Sequence, residues 1–141
     1  MFREMRRKKQ ALSNEESHAI LIRQSFGVLA VSGDDGYPYA VPLSYVYHDS
    51  KIYFHCAASG HKLDAMRRNP KVSFCVIDSD KVVPEKFTTY YRSVIAFGTA
   101  RILEQEQEKR AALELLAAKY SPDLEQERAQ EISKSFHRVC M

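Results

Sequence analysis

Two periods of hydrophobic and polar positions alternate along this chain. Residues 26–31 (FGVLAV), 39–47 (YAVPLSYVY), 51–56 (KIYFHC) and 71–77 (KVSFCVI) are short apolar runs rich in β-branched and aromatic side chains, and a longer run covers 92–103. Runs of this kind, bounded by turn residues, predict five strands. Gly33-Asp34-Asp35-Gly36 and His48-Asp49-Ser50 turn the chain between the first three, which predicts an antiparallel meander. Pro42 interrupts the second strand, and Gly98 marks a bulge or bend in the fifth that would help a barrel close. Residues 78–89 read as a polar loop.

The remaining segments have a helical period. Ser13 and Glu16 form a capping box, so a helix follows to about residue 24, with Ala19, Ile22 and Phe26 on one face. Leu63 and Met66 predict a short helix over 62–68, stopped by Asn69-Pro70. Leu113, Leu116, Ala117 and Tyr120 form the stripe of a helix over 105–120, ended by Ser121-Pro122, and a last helix covers 124–136. Five closely spaced strands with peripheral helices predict an α+β fold, mainly β: an antiparallel barrel rather than a doubly wound parallel sheet. No G-x-G-x-x-G follows a strand, which argues against a Rossmann dinucleotide site.

Composition changes this picture little. The chain has 141 residues, 45% of them hydrophobic, enough for one packed core, so a single domain over 1–141 is expected. No run approaches the roughly 20 apolar residues of a membrane-spanning helix, and no apolar segment follows the basic N-terminus as in a signal peptide. A cytoplasmic protein is expected. Three cysteines without CxxC spacing do not make a disulfide framework, and Cys56 and Cys75 read as small core residues. The net charge of +3 is too small to imply nucleic acid. Basic residues do cluster in the arm 1–12 (Arg3, Arg6, Arg7, Lys8, Lys9), which reads as a solvated tail or as an arm lying across a partner subunit or an anionic ligand.

Four places are candidates for chemistry. Ser59-Gly60-His61-Lys62 joins a strand to a helix start, where free backbone N–H groups, Gly60 and the charge of Lys62 suit a phosphate; an ordinary helix start with a solvated lysine has the same pattern. Val41-Pro42-Leu43-Ser44 carries a proline within a strand, so its backbone groups are free to face a planar ligand with a polar edge, or the segment is a plain edge strand. Phe54-His55-Cys56-Ala57 lies just before the phosphate loop. Zinc is disfavoured there because adjacent strand residues point to opposite faces, and His55 also fits a hydrogen-bonded core position. Tyr90-Tyr91-Arg92-Ser93 places an aromatic pair beside an arginine, which suits a planar anion or an interface. No nucleophile–base pair, carboxylate pair or P-loop is present, as expected where a cofactor carries the reactivity.

Together these segments carry a resemblance. Residues 38–70 (PYAVPLSYVYHDSKIYFHCAASGHKLDAMRRNP) resemble the flavin-binding half of the pyridoxamine 5′-phosphate oxidase-like split barrels. The string FHCA…GHKLDAMRRNP, followed by PEKFTTYYRSVIAFGTARIL, resembles the nitroimidazole-resistance (Nim-type) branch, as does the opening MFREMRRKKQALS. The resemblance implies an FMN-binding split β-barrel acting as a homodimer, with two FMN sites at the subunit interface. By the same resemblance His61 and Lys62 bind the FMN phosphate. Val41, Pro42, Leu43 and Ser44 run beside the ring, and Phe54, His55, Cys56 and Ala57 touch the flavin from the next strand. Arg92 and Ser93 fall where the oxidases carry an Arg-Gln pair that reaches the other subunit's cofactor. The basic arm and the Tyr90–Tyr91 pair would line the interface.

The oxidase proper ends in an Arg-x-His motif that holds its substrate; His137-Arg138 does not match it, so vitamin B6 oxidation is not expected. Residues 138–141 resemble only the beginning of a final Nim-type strand, which raises the expectation of a truncated last strand. The function implied is reduction of a small acceptor, such as a nitroaromatic, by FMN charged from a nicotinamide donor, with His55 as hydrogen-bond or proton donor. The alternatives are a flavin-binding protein without turnover, or a haem- or deazaflavin-binding barrel.

Overall fold

The computed structural model describes residues 2–141 and contains eight strands and four helices among them. In chain order these are α1 (Asn14–Arg23), β1 (Phe26–Ser32), β2 (Pro38–Ser44), β3 (Val46–His48), β4 (Lys51–Tyr53), β5 (Cys56–Ala57), α2 (His61–Arg68), β6 (Lys71–Val83), β7 (Thr88–Thr99), α3 (Glu106–Tyr120), α4 (Glu125–Ser135) and β8 (Val139–Cys140). The main sheet is antiparallel in the order β2-β1-β6-β7, with two smaller ladders, β3-β4 and β5-β8. The result is a split antiparallel barrel with helices at its periphery.

The capping box of α1 forms as its residues predict: the Glu16 amide donates to Ser13 Oγ at 3.1 Å, and the Ser13 amide to Glu16 at 2.8 Å. Its buried face does not. Ile20 and Leu21 enter the core, while Ala19, Ile22 and Phe26 are exposed. Phe26 belongs to β1, where the period is two, so the helical spacing from Ile22 does not apply to it.

The second predicted strand does not break at Pro42, which sits within β2 opposite Val28. β2 is an edge strand, where a missing N–H costs no ladder bond if it faces outward. The chain leaves the ladder at Tyr45 instead. That residue's amide donates to Tyr120 Oη at 3.0 Å, and its carbonyl accepts from Lys119 Nζ at 3.0 Å and Tyr120 Oη at 2.9 Å. Side chains of α3 thus replace a strand neighbour. The Tyr45 ring is fully buried, its hydroxyl donates to the Leu21 carbonyl at 2.7 Å, and burial pushes its pKa up to about 12.

The simple meander is also replaced. β1 pairs with β6 on one side and β2 on the other, and β2 and β3 lie in separate ladders. The predicted strand over 51–56 stops at Tyr53, and Cys56–Ala57 changes partner to β8. Residues 78–89 are not a polar loop: β6 runs to Val83 and β7 starts at Thr88, so a long hairpin crosses this segment, turned at Pro84–Lys86 with Phe87 at φ 51°. β-branched valines at 82 and 83 sustain the extension despite the polar residues before them. β7 ends at Thr99, short of the predicted 103, and Gly98 pairs regularly with Val72. The register shift lies between Ile77 and Ser79. It lets Asp78 leave the ladder and accept from Arg23 Nε at 2.7 Å, Arg23 Nη2 at 2.6 Å and Gln24 Nε2 at 2.8 Å, pinning the end of α1 to β6.

Leu29, Val31, Leu63, Phe74 and Val76 fill the barrel, and a second cluster joins Leu113 and Leu116 of α3 to Ile132 of α4, Phe136 and Leu103. At Gly27 a Cβ would lie 2.3 Å from the Phe74 ring and 2.8 Å from the Cys75 carbonyl, so only glycine permits this approach of β1 to β6. Cys56 is half-buried and packs against the core as a small residue, whereas Cys75, also half-buried, lies opposite Ile95 on the outer face of the main sheet and is not a core residue. β8 lies between β5 and the continuation of β7, where the Leu103 amide donates to the Met141 carbonyl at 2.9 Å. The arm 2–12 is mostly exposed and places Phe2 in a stack on Phe97, with ring centroids 4.9 Å apart.

Candidate functional site

α2 begins at His61, one residue before the predicted start. Gly60, before its first turn, has φ 148° and ψ 170°, a conformation that L side chains rarely adopt, and open space surrounds the position of a Cβ. The first bond of the helix end runs from the Asp64 amide to the Gly60 carbonyl at 3.1 Å, so the amides of His61, Lys62 and Leu63 precede it without intrahelical partners. Lys62 is half-buried beside them and has no ion-pair partner among the described residues. Bare amides, an unpaired ammonium and a backbone open to close approach fit a phosphate group.

His61 sits differently. Its ring stacks on Tyr39 of β2 at 4.2 Å between centroids, and Nε2 lies 3.7 Å from Asp34 Oδ2. Arg68, from the last turn of α2, holds the other oxygen of Asp34 at 2.6 Å. Arg68 first, and His61 after it, keep the Asp34 carboxyl below its ordinary range. Tyr39, Asp34 and Arg68 therefore set the position of the helix start. The sequence reading missed all three. Tyr39 carried the one available signal, its place two residues before Val41 on the same strand face, but stacking on His61 depends on how α2 packs.

β2 runs beside this helix start. Its side chains alternate: Val41 and Leu43 pack on the barrel core, while Pro42 and Ser44 are exposed on the other face. Its far edge carries no strand among the described residues, so backbone donors and acceptors are available there. Phe54 and Cys56 are half-buried against the barrel core, and His55 and Ala57 are exposed. His55 is thus not a core histidine; it lies in the break between β4 and β5 and meets solvent.

Arg92 and Ser93 are not brought to this place. They lie on β7, at the opposite edge of the main sheet from β2, with Ser93 opposite Ile77 and Arg92 opposite Ser79. Three strand spacings separate the two edges, about 14 Å. Arg92 instead faces the carboxylates of Asp78 and Glu16, helping to hold both below their ordinary pKa values after their stronger hydrogen-bond partners. Within one chain, then, the helix start, β2 and 54–57 form one continuous region and Arg92-Ser93 another.

A split antiparallel barrel with an anion-suited helix start beside an open edge strand defines a class of small barrels with a site for an anionic ligand at one edge. The pyridoxamine 5′-phosphate oxidase family profile matches residues 13–140, and the chain belongs to that family. A candidate 5-nitroimidazole antibiotic resistance protein from Bacteroides thetaiotaomicron VPI-5482 is similar in structure, with TM-score 0.71 and 23% identity over 80% of this chain and 69% of that one. A FAD-binding protein from Mesorhizobium loti shares 30% identity, with TM-score 0.60, over 81% of this chain and 79% of its own. Among curated proteins, an uncharacterized protein of Rhizobium meliloti (strain 1021) is 33% identical over 69 residues, which span 49% of this chain and only 44% of that relative. No helix among the described residues is long and apolar enough to cross a membrane.

Proposed function

We propose that this protein binds FMN as a homodimer and passes electrons from a nicotinamide donor to a small acceptor such as a nitroaromatic. The observation that carries the reading is the start of α2, with Gly60 at φ 148°, unpartnered first-turn amides and an unpaired Lys62. Lys62 and the amides hold the phosphate, and His61, stacked on Tyr39, closes the cradle from one side. The open edge of β2 pairs with the polar edge of the ring, and exposed His55 donates a hydrogen bond or proton to the acceptor. Bound there, FMN would supply the redox chemistry, carrying a hydride equivalent from the donor to the acceptor. With a nitro acceptor the sum is one reduced nicotinamide and one proton consumed, and one nitroso product, one oxidised nicotinamide and one water released. The FAD-binding relative and the nitroimidazole-resistance relative support a flavin and this acceptor class.

The homodimer accounts for two features. The outer face of the main sheet presents Phe26, Ile77, Ile95 and Phe97, each more than half exposed, a contiguous apolar surface of the kind that marks an interface. Arg92 and Ser93, remote from the helix start of their own chain, would complete the site of the other. No cytoplasmic partner is required beyond the small-molecule donor and acceptor, and neither nucleic acid nor membrane enters the proposal.

The test is the visible spectrum of the purified protein and of the supernatant after denaturation, followed by turnover. A two-band flavin spectrum with FMN released supports the proposal. Nitroimidazole consumption above that of free FMN, slowed by His55→Ala, supports the catalytic part. A Soret band, or a colourless protein that does not quench added FMN fluorescence, overturns it.

A further inference from the structure

Behind that face the barrel holds a partly open cavity of about 490 Å³ that the proposed function leaves unused. Its lining is mostly apolar, from Leu29, Leu63, Met66 and Phe74 among others, and it includes two cysteines, Cys56 and Cys140. These cysteines come from segments 84 residues apart in sequence, yet they are direct partners in the antiparallel β5-β8 ladder. Direct partners in such a ladder hold their Cα atoms about 4.5–5.5 Å apart, inside the range of about 4.4–6.8 Å that a disulfide spans. Both are free thiols and both are half-buried. The third, Cys75, lies on β6 opposite Ile95, on the outer face of the main sheet.

We infer that Cys56 and Cys140 form a peroxide-sensitive dithiol that closes to a disulfide, stapling β8 to β5 one residue before the loop that enters α2. The oxidant is hydrogen peroxide, small enough to reach the cavity. One thiolate, that of Cys140, attacks a peroxide oxygen; an S–O bond forms, the O–O bond breaks, and the leaving hydroxide takes a proton to become water. The Cys56 sulfur then attacks the sulfenic sulfur, the S–S bond forms, the S–O bond breaks, and the second water leaves with the Cys56 proton. Two thiols lose two electrons in total and one peroxide gains them. Burial, and after it the neighbouring Cys140, push the Cys56 thiol up, outweighing the opposing pull of Lys62 and Arg67. Cys56 therefore stays protonated to higher pH than an ordinary thiol and suits the second step.

The staple has a local consequence. Cys56 and Ala57 are the last paired residues before residues 58–60 and the α2 start. β8 is short, two residues, so in the reduced protein β5 depends on a weak ladder. The disulfide makes that ladder permanent and fixes one end of the loop. This inference stands on the ladder register and the cavity and does not depend on flavin binding.

The experiment treats the full-length protein with hydrogen peroxide in modest excess, then counts thiols under denaturing conditions and maps peptides without reduction. The expected result is a fall from three thiols to one, a single Cys56–Cys140 crosslink within one chain, and slower amide exchange over residues 57–62 that dithiothreitol reverses. Cys140→Ser and Cys56→Ser should each lose both the crosslink and the slowing. In Cys56→Ser, a dimedone adduct at Cys140 should trap the sulfenic acid. Three thiols remaining, a crosslink through Cys75 or between chains, or an intact crosslink with unchanged exchange over 57–62 would overturn the inference.

Discussion

Asp78 shows how one side chain becomes a measurable property. It accepts from both Arg23 and Gln24, and these bonds, Arg23's first, pull its pKa down from 3.8 to about 2. A carboxylate with a depressed folded pKa adds stability above its unfolded value and loses it as pH falls through the folded value. The contribution should therefore be complete above about pH 4 and gone near pH 2. Acid titration of the unfolding midpoint should show a loss across that window in the native protein, and Asp78→Asn should remove this component and be less stable at neutral pH. Gly60 gives a second prediction at this scale. Its φ of 148° makes Gly60→Ala strained by about 1–3 kcal/mol although no atom crowds the new Cβ. Titration of FMN fluorescence should show weaker binding for Gly60→Ala, while the far-ultraviolet dichroism stays that of a folded barrel.

At the scale of elements, the joint between β2 and β3 is made by α3. Tyr120 receives the Tyr45 amide and donates toward the Ser25 and Tyr45 carbonyls, and Lys119 donates to the Gln24 and Tyr45 carbonyls. Removing one hydroxyl leaves the Tyr45 amide unpaired in a closed setting. Tyr120→Phe should cost about 1–3 kcal/mol in urea unfolding, with an unchanged slope. A loss within the few tenths expected of an exposed tyrosine would show that the joint is held by packing alone. Five strands were readable as apolar runs because alternation is local. The pairing of β5 with β8 was not, because it joins residues far apart in sequence, and the break at Tyr45 was not, because its cause lies in α3. The hairpin over 78–89 was hidden by polar residues: exposed on both faces, an edge of a long hairpin loses the alternation that reveals a buried strand.

For the whole molecule the decisive prediction concerns the composite site. If His61 and Lys62 of one subunit act with Arg92 and Ser93 of the other, Lys62→Ala and Arg92→Ala should each weaken FMN binding in their own homodimers. Mixing equal amounts of the two after reversible dissociation should restore one intact site in each heterodimer, measured as recovered tight FMN binding at about a quarter of the subunit number. No recovery, with heterodimers shown to form, would confine the site to a single chain. Placing an aspartate at Ile95 should shift the protein to monomers in sedimentation and weaken FMN with it, because the same face would carry both.

The sequence alone determined the local part of this protein. The capping box at Ser13, the start of α2 at His61, the helices over 106–120 and 125–135, and most strands followed from spacing and turn chemistry that act over a few residues. The family resemblance along 38–70 was legible for the same reason, since the phosphate loop and the strands before it are continuous in the chain. Tertiary structure decided what distant segments do to one another. It turned Ile20 and Leu21 inward, set Tyr39 on His61, placed Cys140 against Cys56 and put Arg92 at the far edge of the sheet. Each of these depends on which elements share a face, and burial and ladder register, unlike spacing, are properties of the folded chain as a whole.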